Sequence, residues 1–292
     1  MSDEAFDASL DLLRRLDPKN ISKNLNNICR LQPDLSDDLL SSIDTPLKVL
    51  KCSYNGDKLF LCCDYNRDGD LYRSPWSNKY IGDNTADDDA PYPSSHLRQL
   101  EIYANESFDI YRDLYYEGGI SSVYLWDGDD DDEQIVNKSG DVEFSGVALF
   151  KKQINKSLDD LNNGSWDSIH VFEINPLNGS GAGSGEKFAE YKLTSTVILD
   201  LSTIENNDDI SLSGNLTKQI NKKIAYIDSM THISNIGSII ENMESNLRNM
   251  LQEIYFSKTK DIIGDLRTIE KLDVQNEDKL KHKELISSFQ SL

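Results

Sequence analysis

The sequence is poor in the residues that build most catalytic and metal centres. It holds four histidines in 292 residues, none paired at ligand spacing, and four cysteines, Cys29, Cys52, Cys62 and Cys63, with no Cys-x-x-Cys pair. Neither a zinc site nor a disulfide framework is expected from that supply, nor is any other cofactor. Adjacent Cys62 and Cys63 would point to opposite faces of a strand, so the thiols read as reduced and partly buried. No apolar run reaches 18 residues, which excludes a membrane-spanning helix. The acidic, amphipathic segment from Met1 to Leu16 lacks the apolar centre of a secretion signal. Positive charge is also short: 30 Lys and Arg stand against 51 Asp and Glu, a formal net charge of −21. Non-specific attachment to nucleic acid or an anionic membrane needs a positive surface, so both are excluded as general modes. A soluble, intracellular protein is expected.

The 38% apolar content can fill a core. Residues 1–45 read as a three-helix N-terminal stalk, with Phe6, Leu10, Leu13 and Leu16 on one stripe and breaks near Pro18 and Pro33. Residues 46–228 read as a sheet region. Leu59 to Cys63 is a strand, a polar stretch through Pro93 is a long loop, and a helix over about 94–118 opens on a serine cap and stops at Gly118-Gly119. Five strands follow, near Ser121–Trp126, Ser145–Lys151, Trp166–Ile174, Phe188–Leu201 and Ile210–Thr217, with no helical pattern between them. That order predicts an antiparallel meander. In the fourth strand Tyr191, Leu193, Val197, Leu199 and Leu201 share one face, the period of a half-buried strand.

A helix from about Ser229 to Leu266 follows, within a unit spanning 229–268. Ile233, Ile236, Ile240, Met243, Leu247, Met250 and Ile254 step by three and four, a stripe that suits either a coiled-coil arm or a helix laid across the sheet. Register breaks at Ser257 and Asp261, and the uncovered sheet, favour the second. Residues 269–292 close with Leu285, Ile286, Phe289 and Leu292 on one face of a short amphipathic helix behind Lys279, Lys281 and Lys283, a segment that suits either a disordered end or a tethered anchor for another protein's groove. The fold class is α+β: helical stalk, five-stranded antiparallel sheet, sheet-spanning helix and tail helix.

Several tempting motifs fail on spacing. Asp64-Tyr-Asn66-Arg-Asp68-Gly69-Asp70 matches the first half of a calcium loop, but Pro75 stands where the bidentate Glu belongs. A metal-dependent hydrolase built on this cluster is the enzymatic alternative. Asp127 to Glu133 has Asp132 in place of the loop glycine. Gly179 to Gly185 matches neither phosphate-binding glycine pattern. Asp167, Ser168 and His170 hold triad residue types, yet Ser168 and His170 share a strand face that Asp167 does not. The balance favours a binding protein over an enzyme.

Ordered blocks carry a more specific signal. They are Asp11-Leu-Leu-Arg-Arg-Leu16, Leu39-Leu-Ser-Ser-Ile-Asp44, Cys63 to Asp70 running into Tyr72-Arg-Ser-Pro-Trp-Ser-Asn-Lys-Tyr80, Tyr111 to Asp127, Trp166-Asp-Ser-Ile-His170, Tyr191-Lys-Leu-Thr-Ser-Thr196 and Glu253 to Ile262. In content and order they resemble the β-subunit family of the actin filament capping proteins. The resemblance implies an obligate heterodimer with an α subunit, in which two sheets join and two long helices lie antiparallel across them. It implies steric, calcium-independent block of the barbed end, where subunits neither add nor leave, in the cytoplasm at cortical actin. Phosphoinositides and capping-protein-interaction-motif proteins are implied as regulators.

By the same resemblance, Lys279, Leu280, Lys283, Leu285, Ile286 and Phe289 form an actin-binding tail. Ile240, Met243, Leu247, Met250, Leu251 and Ile254 form the subunit interface. Three or four apolar anchors give at most about 5 to 12 kcal/mol before ordering costs, whereas nanomolar binding needs about 12 net, so the tail requires a second contact on the α subunit. The loops at Asp127–Asp141, Gln153–Ser165 and Leu177–Lys187 look expanded. Trp76, Trp126, Trp166, Arg73 and Glu117 lie in the strongest blocks, where a core or interface role explains them. The competing binding reading is a coiled-coil scaffold or adaptor without actin contact.

Overall fold

The computed structural model describes residues 3–16, 20–41, 46–82, 90–128, 143–155, 162–177, 187–205, 208–257 and 260–261. The chain opens with α1 (Asp3–Arg15), α2 (Ile21–Leu31) and, after a 3-10 turn at Pro33–Leu35, α3 (Ser36–Ser41). Phe6, Leu10 and Leu13 pack on Ile28, Leu35 and Leu39. Leu16 does not join them; α1 ends at Arg15, so the stripe stops and Leu16 stays 37% exposed.

The expected meander is present. Strands β6 (Ile120–Asp127), β7 (Phe144–Asn155), β8 (Asn162–Pro176), β9 (Lys187–Glu205) and β10 (Asp208–Tyr226) pair antiparallel in the order β10-β9-β8-β7-β6, and the chain reaches them through the helix α4 (Ser95–Tyr115). The last four run beyond their predicted ends. Gln153 pairs with Ser165 inside a segment read as loop, and β10 continues nine residues past Thr217. Its Lys218 and Lys222 share a face with Ile220 and Ile224, which blurs the alternation that marks a strand.

Both long helices cover one face of this sheet. Ser94 caps α4, its Oγ accepting from the Leu97 N–H. Beyond the helix end Gly118 takes φ +74°, a left-handed conformation that glycine adopts without a steric cost. The second helix, α5 (Ser229–Gln252), is capped by Asp228, whose carboxylate accepts from the Thr231 N–H at 2.9 Å. Leu97, Leu100, Ala104 and Phe108 of α4 share one core with Ile233, Ile236, Ile239, Ile240, Met243 and Leu247 of α5 and with Phe150, Phe172, Tyr191 and Val197 of the sheet. The apolar stripe of α5 therefore faces its own sheet, which removes the coiled-coil arm. A π turn, Glu253–Ser257, continues the helix. Residues 262–266 of the predicted helix, and the tail, lie outside the described residues.

On the opposite face the strand expected at Leu59 to Cys63 is present as Lys58–Cys62, and the elements around it were not foreseen. A hairpin of β1 (Lys48–Cys52) and β2 (Lys58–Cys62) packs Leu47 and Leu61 on Tyr124, Val147 and Leu149. Three short strands, β3 (Arg67–Asp68), β4 (Leu71–Arg73) and β5 (Tyr80–Ile81), form a small sheet in the stretch read as loop. Strands of two or three residues show no period. The cysteines match their expected state: all four are free, with Cys52 and Cys62 buried.

Candidate functional site

A five-stranded open sheet has two edges, and this chain treats them differently. Beside β6, the Asn105 side chain of α4 accepts from the Val123 N–H and donates to the Val123 carbonyl, both at 2.9 Å. Glu101 accepts from the Leu125 N–H at 2.8 Å. These side chains occupy main-chain groups that another strand would use, so this part of β6 is closed. Arg73 holds Glu101 in place through two 2.8 Å bonds, Arg98 adds a third contact, and all three side chains are buried or nearly so.

Beside β10 the described contact of this kind lies at its end, where Asn235 of α5 donates to the Ala225 carbonyl at 3.1 Å. Among the described residues its only strand partner is β9, along all 19 residues. On its helix-covered face Leu216, Ile220 and Ile224 pack against the core yet remain half-buried, because α5 does not cover the rim. Beside them Met250 is half-buried and Ile254 is 40% exposed. An open edge with an incompletely covered apolar margin is the arrangement that invites another sheet.

Of the six predicted interface residues, Ile240, Met243, Leu247 and Leu251 are buried in this chain's own core. Burial against β8, β9 and β10 leaves them no surface to offer; Met250 and Ile254, on the flank, keep one. The predicted tail residues Lys279, Leu280, Lys283, Leu285, Ile286 and Phe289 lie outside the described residues. Asn105 and Glu101 went unread. The available signal was a pair of polar residues four apart on the stripe formed by Leu97, Leu100, Ala104 and Phe108.

Beneath α5 lies a polar network. Glu244 accepts from Tyr111 at 2.6 Å and from Tyr116, and contacts His170 Nε2 at 3.0 Å. His170 Nδ1 reaches Ser195 Oγ at 2.8 Å. Burial would raise the Glu244 pKa, but hydrogen bonds from His170, Tyr111 and Tyr116 outweigh it and hold the carboxyl down at about 2. Ser195, His170 and Glu244 have the connectivity of a hydrolytic triad, yet their exposures are 0%, 0% and 1%. No substrate reaches them, and the network pins α5 to the sheet. Trp166 donates to Ser168 at 2.8 Å on the same side, and the Arg248 guanidinium lies 5.6 Å from its ring centroid.

On the other face Asp167 binds Lys151 at 2.8 Å and accepts from the Leu47 N–H at 2.9 Å, anchoring the hairpin. Ser168 and Asp167 thus serve opposite faces, as their positions predict. In the calcium-like motif, Asn66 is 2% exposed; its side chain accepts from Cys63 N–H and donates to the Arg73 carbonyl, both at 2.9 Å. A residue that should be a ligand is committed to the main chain. Trp76 donates to the Leu59 carbonyl and Trp126 stacks on Tyr65, while Glu117 is exposed.

Sequence comparison places these features in a known context. Residues 6–263 match the family described as F-actin capping protein, beta subunit. An F-actin-capping protein subunit beta of Yarrowia lipolytica is 49% identical over 290 residues, covering 99% of this chain and all of that protein. The one from Candida glabrata is 49% identical over 99% of this chain and all of its own length. That of Saccharomyces cerevisiae is 50% identical over 90% of this chain and 89% of its own length. By match and coverage, the chain belongs to the F-actin capping protein β-subunit family.

Proposed function

We propose that this chain is one half of a heterodimeric cap on the barbed ends of actin filaments, blocking both addition and loss of subunits. The observation that carries the reading is the asymmetry of the sheet: β6 is closed by Asn105 and Glu101, whereas among the described residues β10 pairs with β9 alone, beside the half-buried Leu216, Ile220 and Ile224. An α subunit that adds its own sheet at β10 pairs with the outer edge of that strand and covers the apolar margin, including Met250 and Ile254. Lys279, Leu280, Lys283, Leu285, Ile286 and Phe289 then form a tail contact on the terminal actin subunit, and the α subunit supplies the second contact. Two tethered contacts on one rigid body exceed either alone.

The names of the relatives support the capping role, and their family is one of structural subunits rather than enzymes. The commitment of Asn66 to main-chain bonds supports calcium independence. A cytoplasmic site of action at cortical actin, and regulation by phosphoinositides or capping-protein-interaction-motif proteins, complete the reading. Co-expression tests the assembly: the chain produced with an α subunit should sediment as a soluble 1:1 complex, and alone it should aggregate through β10. A stable, soluble monomer or homodimer produced alone would overturn it.

A further inference from the structure

On the face that α5 covers, β10 presents Leu216, Lys218, Ile220, Lys222 and Ile224 in turn. Their cross-strand partners on β9 are Val197, Ser195, Leu193, Tyr191 and Ala189, all buried beneath the helices. Lys218 is exposed and Lys222 half-buried. The Lys218 ammonium lies 3.9 Å from the Met250 sulfur, and among the described residues neither lysine is ion-paired.

The surrounding elements bring no carboxylate to this pair. Above β10, α5 runs from Asn235, bonded to the Ala225 carbonyl, to Met250 at Lys218, and helical spacing sets Ile239, Met243 and Asn246 between them. Glu241, Glu244 and Arg248 turn instead to the α4 side, toward Tyr115, Tyr111 and Tyr116. The acids of the flank stand at its ends: Asp228 caps α5, and exposed Glu253 follows Met250 by about one turn. On the other face of β10, Glu190 accepts from Asn221 at 2.6 Å, and the Lys223 ammonium lies 5.3 Å from the Phe188 ring centroid. In a chain of net charge −21, the outer strand therefore shows an unmatched basic pair.

A partner that covers Ile220 also covers the lysine stems on either side, and an ammonium taken from water without a counter-charge is costly. Four residues of strand separate the two lysines by about 14 Å. A second copy of this chain answers them poorly. Two β10 strands paired about a twofold axis through Ile220 set Lys218 opposite Lys222, and an axis through either lysine sets it opposite itself; like charges there oppose pairing. We infer that the α subunit presents carboxylates to Lys218 and Lys222 at that spacing. The inference rests on the β10 assembly proposed above and supplies its charge chemistry: one pair of side chains accepts the α subunit and rejects a like-charged edge.

The test is competition for a limiting α subunit. The parent chain and one carrying Lys218→Glu with Lys222→Glu, differently tagged, are co-produced with it, and the chains retained on purified α subunit are counted by mass spectrometry. At least tenfold enrichment of the parent is expected, with Lys218→Gln plus Lys222→Gln falling between the two. The reversal Lys51→Glu, at an exposed position of β1, should be retained like the parent. Added salt should erode the parent's advantage over the Gln variant. Equal retention of parent and Glu variant, a matching loss in Lys51→Glu, or a salt-independent advantage would overturn the inference and leave the assembly standing. A soluble dimer of the parent alone would overturn it in favour of a second copy. If the parent itself is not retained, the assembly reading fails and this inference with it.

Discussion

The side-chain amide of Asn105 meets the main chain of Val123 twice, as donor and as acceptor, in the way a neighbouring strand would. It ends the sheet at β6. Replacing Asn105 with Leu leaves both Val123 groups unpaired in a buried setting, at about 1–3 kcal/mol each. Denaturant unfolding of the complex should show a loss of about 2–4 kcal/mol; a loss below about 0.5 kcal/mol would mean that water or another strand takes the vacated places.

Glu101 reaches the next stretch of the same edge, and its position depends on Arg73. Glu101→Leu strands a buried guanidinium, a change that typically costs 3–5 kcal/mol, about as much as a small domain can lose. Arg73→Lys cannot reproduce the bidentate geometry and should cost about 2 kcal/mol or more. Equal stability of Arg73→Lys and the parent in thermal unfolding would contradict the two-bond reading.

Acid should loosen α5. The Glu244 carboxyl falls from its ordinary 4.5 to about 2 in the folded chain, so the folded state holds fewer protons than the unfolded chain between those values. Its contribution is complete above about 4.5 and disappears as pH falls toward about 2. The size is on the order of 3 kcal/mol at neutral pH. Glu244→Gln should flatten the decline of the unfolding midpoint between pH 4.5 and 2. An unchanged acid profile in the variant would remove Glu244 as its source.

Ile220 tests the open edge. It is half-buried on the margin of β10 and touches the core only from its rim, so Ile220→Asp should lower the chain's own stability modestly, leave it folded by circular dichroism, and weaken assembly with an α subunit at least tenfold in sedimentation or pull-down. The same substitution at Ile102, 44% exposed on α4, should not. Equal assembly by both variants would move the interface away from β10.

What could be read from the sequence follows from how sharply two faces differ. In β9, Tyr191, Leu193, Val197 and Leu199 are buried while Lys192 and Asp200 are exposed, and the period was plain. In β10 the lysines sit beside isoleucines because an edge strand lets long polar side chains reach solvent past the rim. Its register therefore emerged only from pairing with β9. The stripe of α5 was legible, but a three-four repeat reports an apolar face without saying what covers it. Ile240, Met243 and Leu247 consequently went to the chain's own sheet. Asn105 and Glu101 could be located on a helix face, but their bonding to β6 depends on a fold that brings residues 18 and 24 positions apart together.

The most direct test is elongation of pyrene-labelled actin from filament seeds, with this chain co-produced with an α subunit and compared with the same dimer truncated after Val274. Arrest of barbed-end growth by the intact dimer, weakened by truncation without loss of the dimer, is the predicted result. Unchanged growth in the presence of an intact, stable dimer would contradict the account.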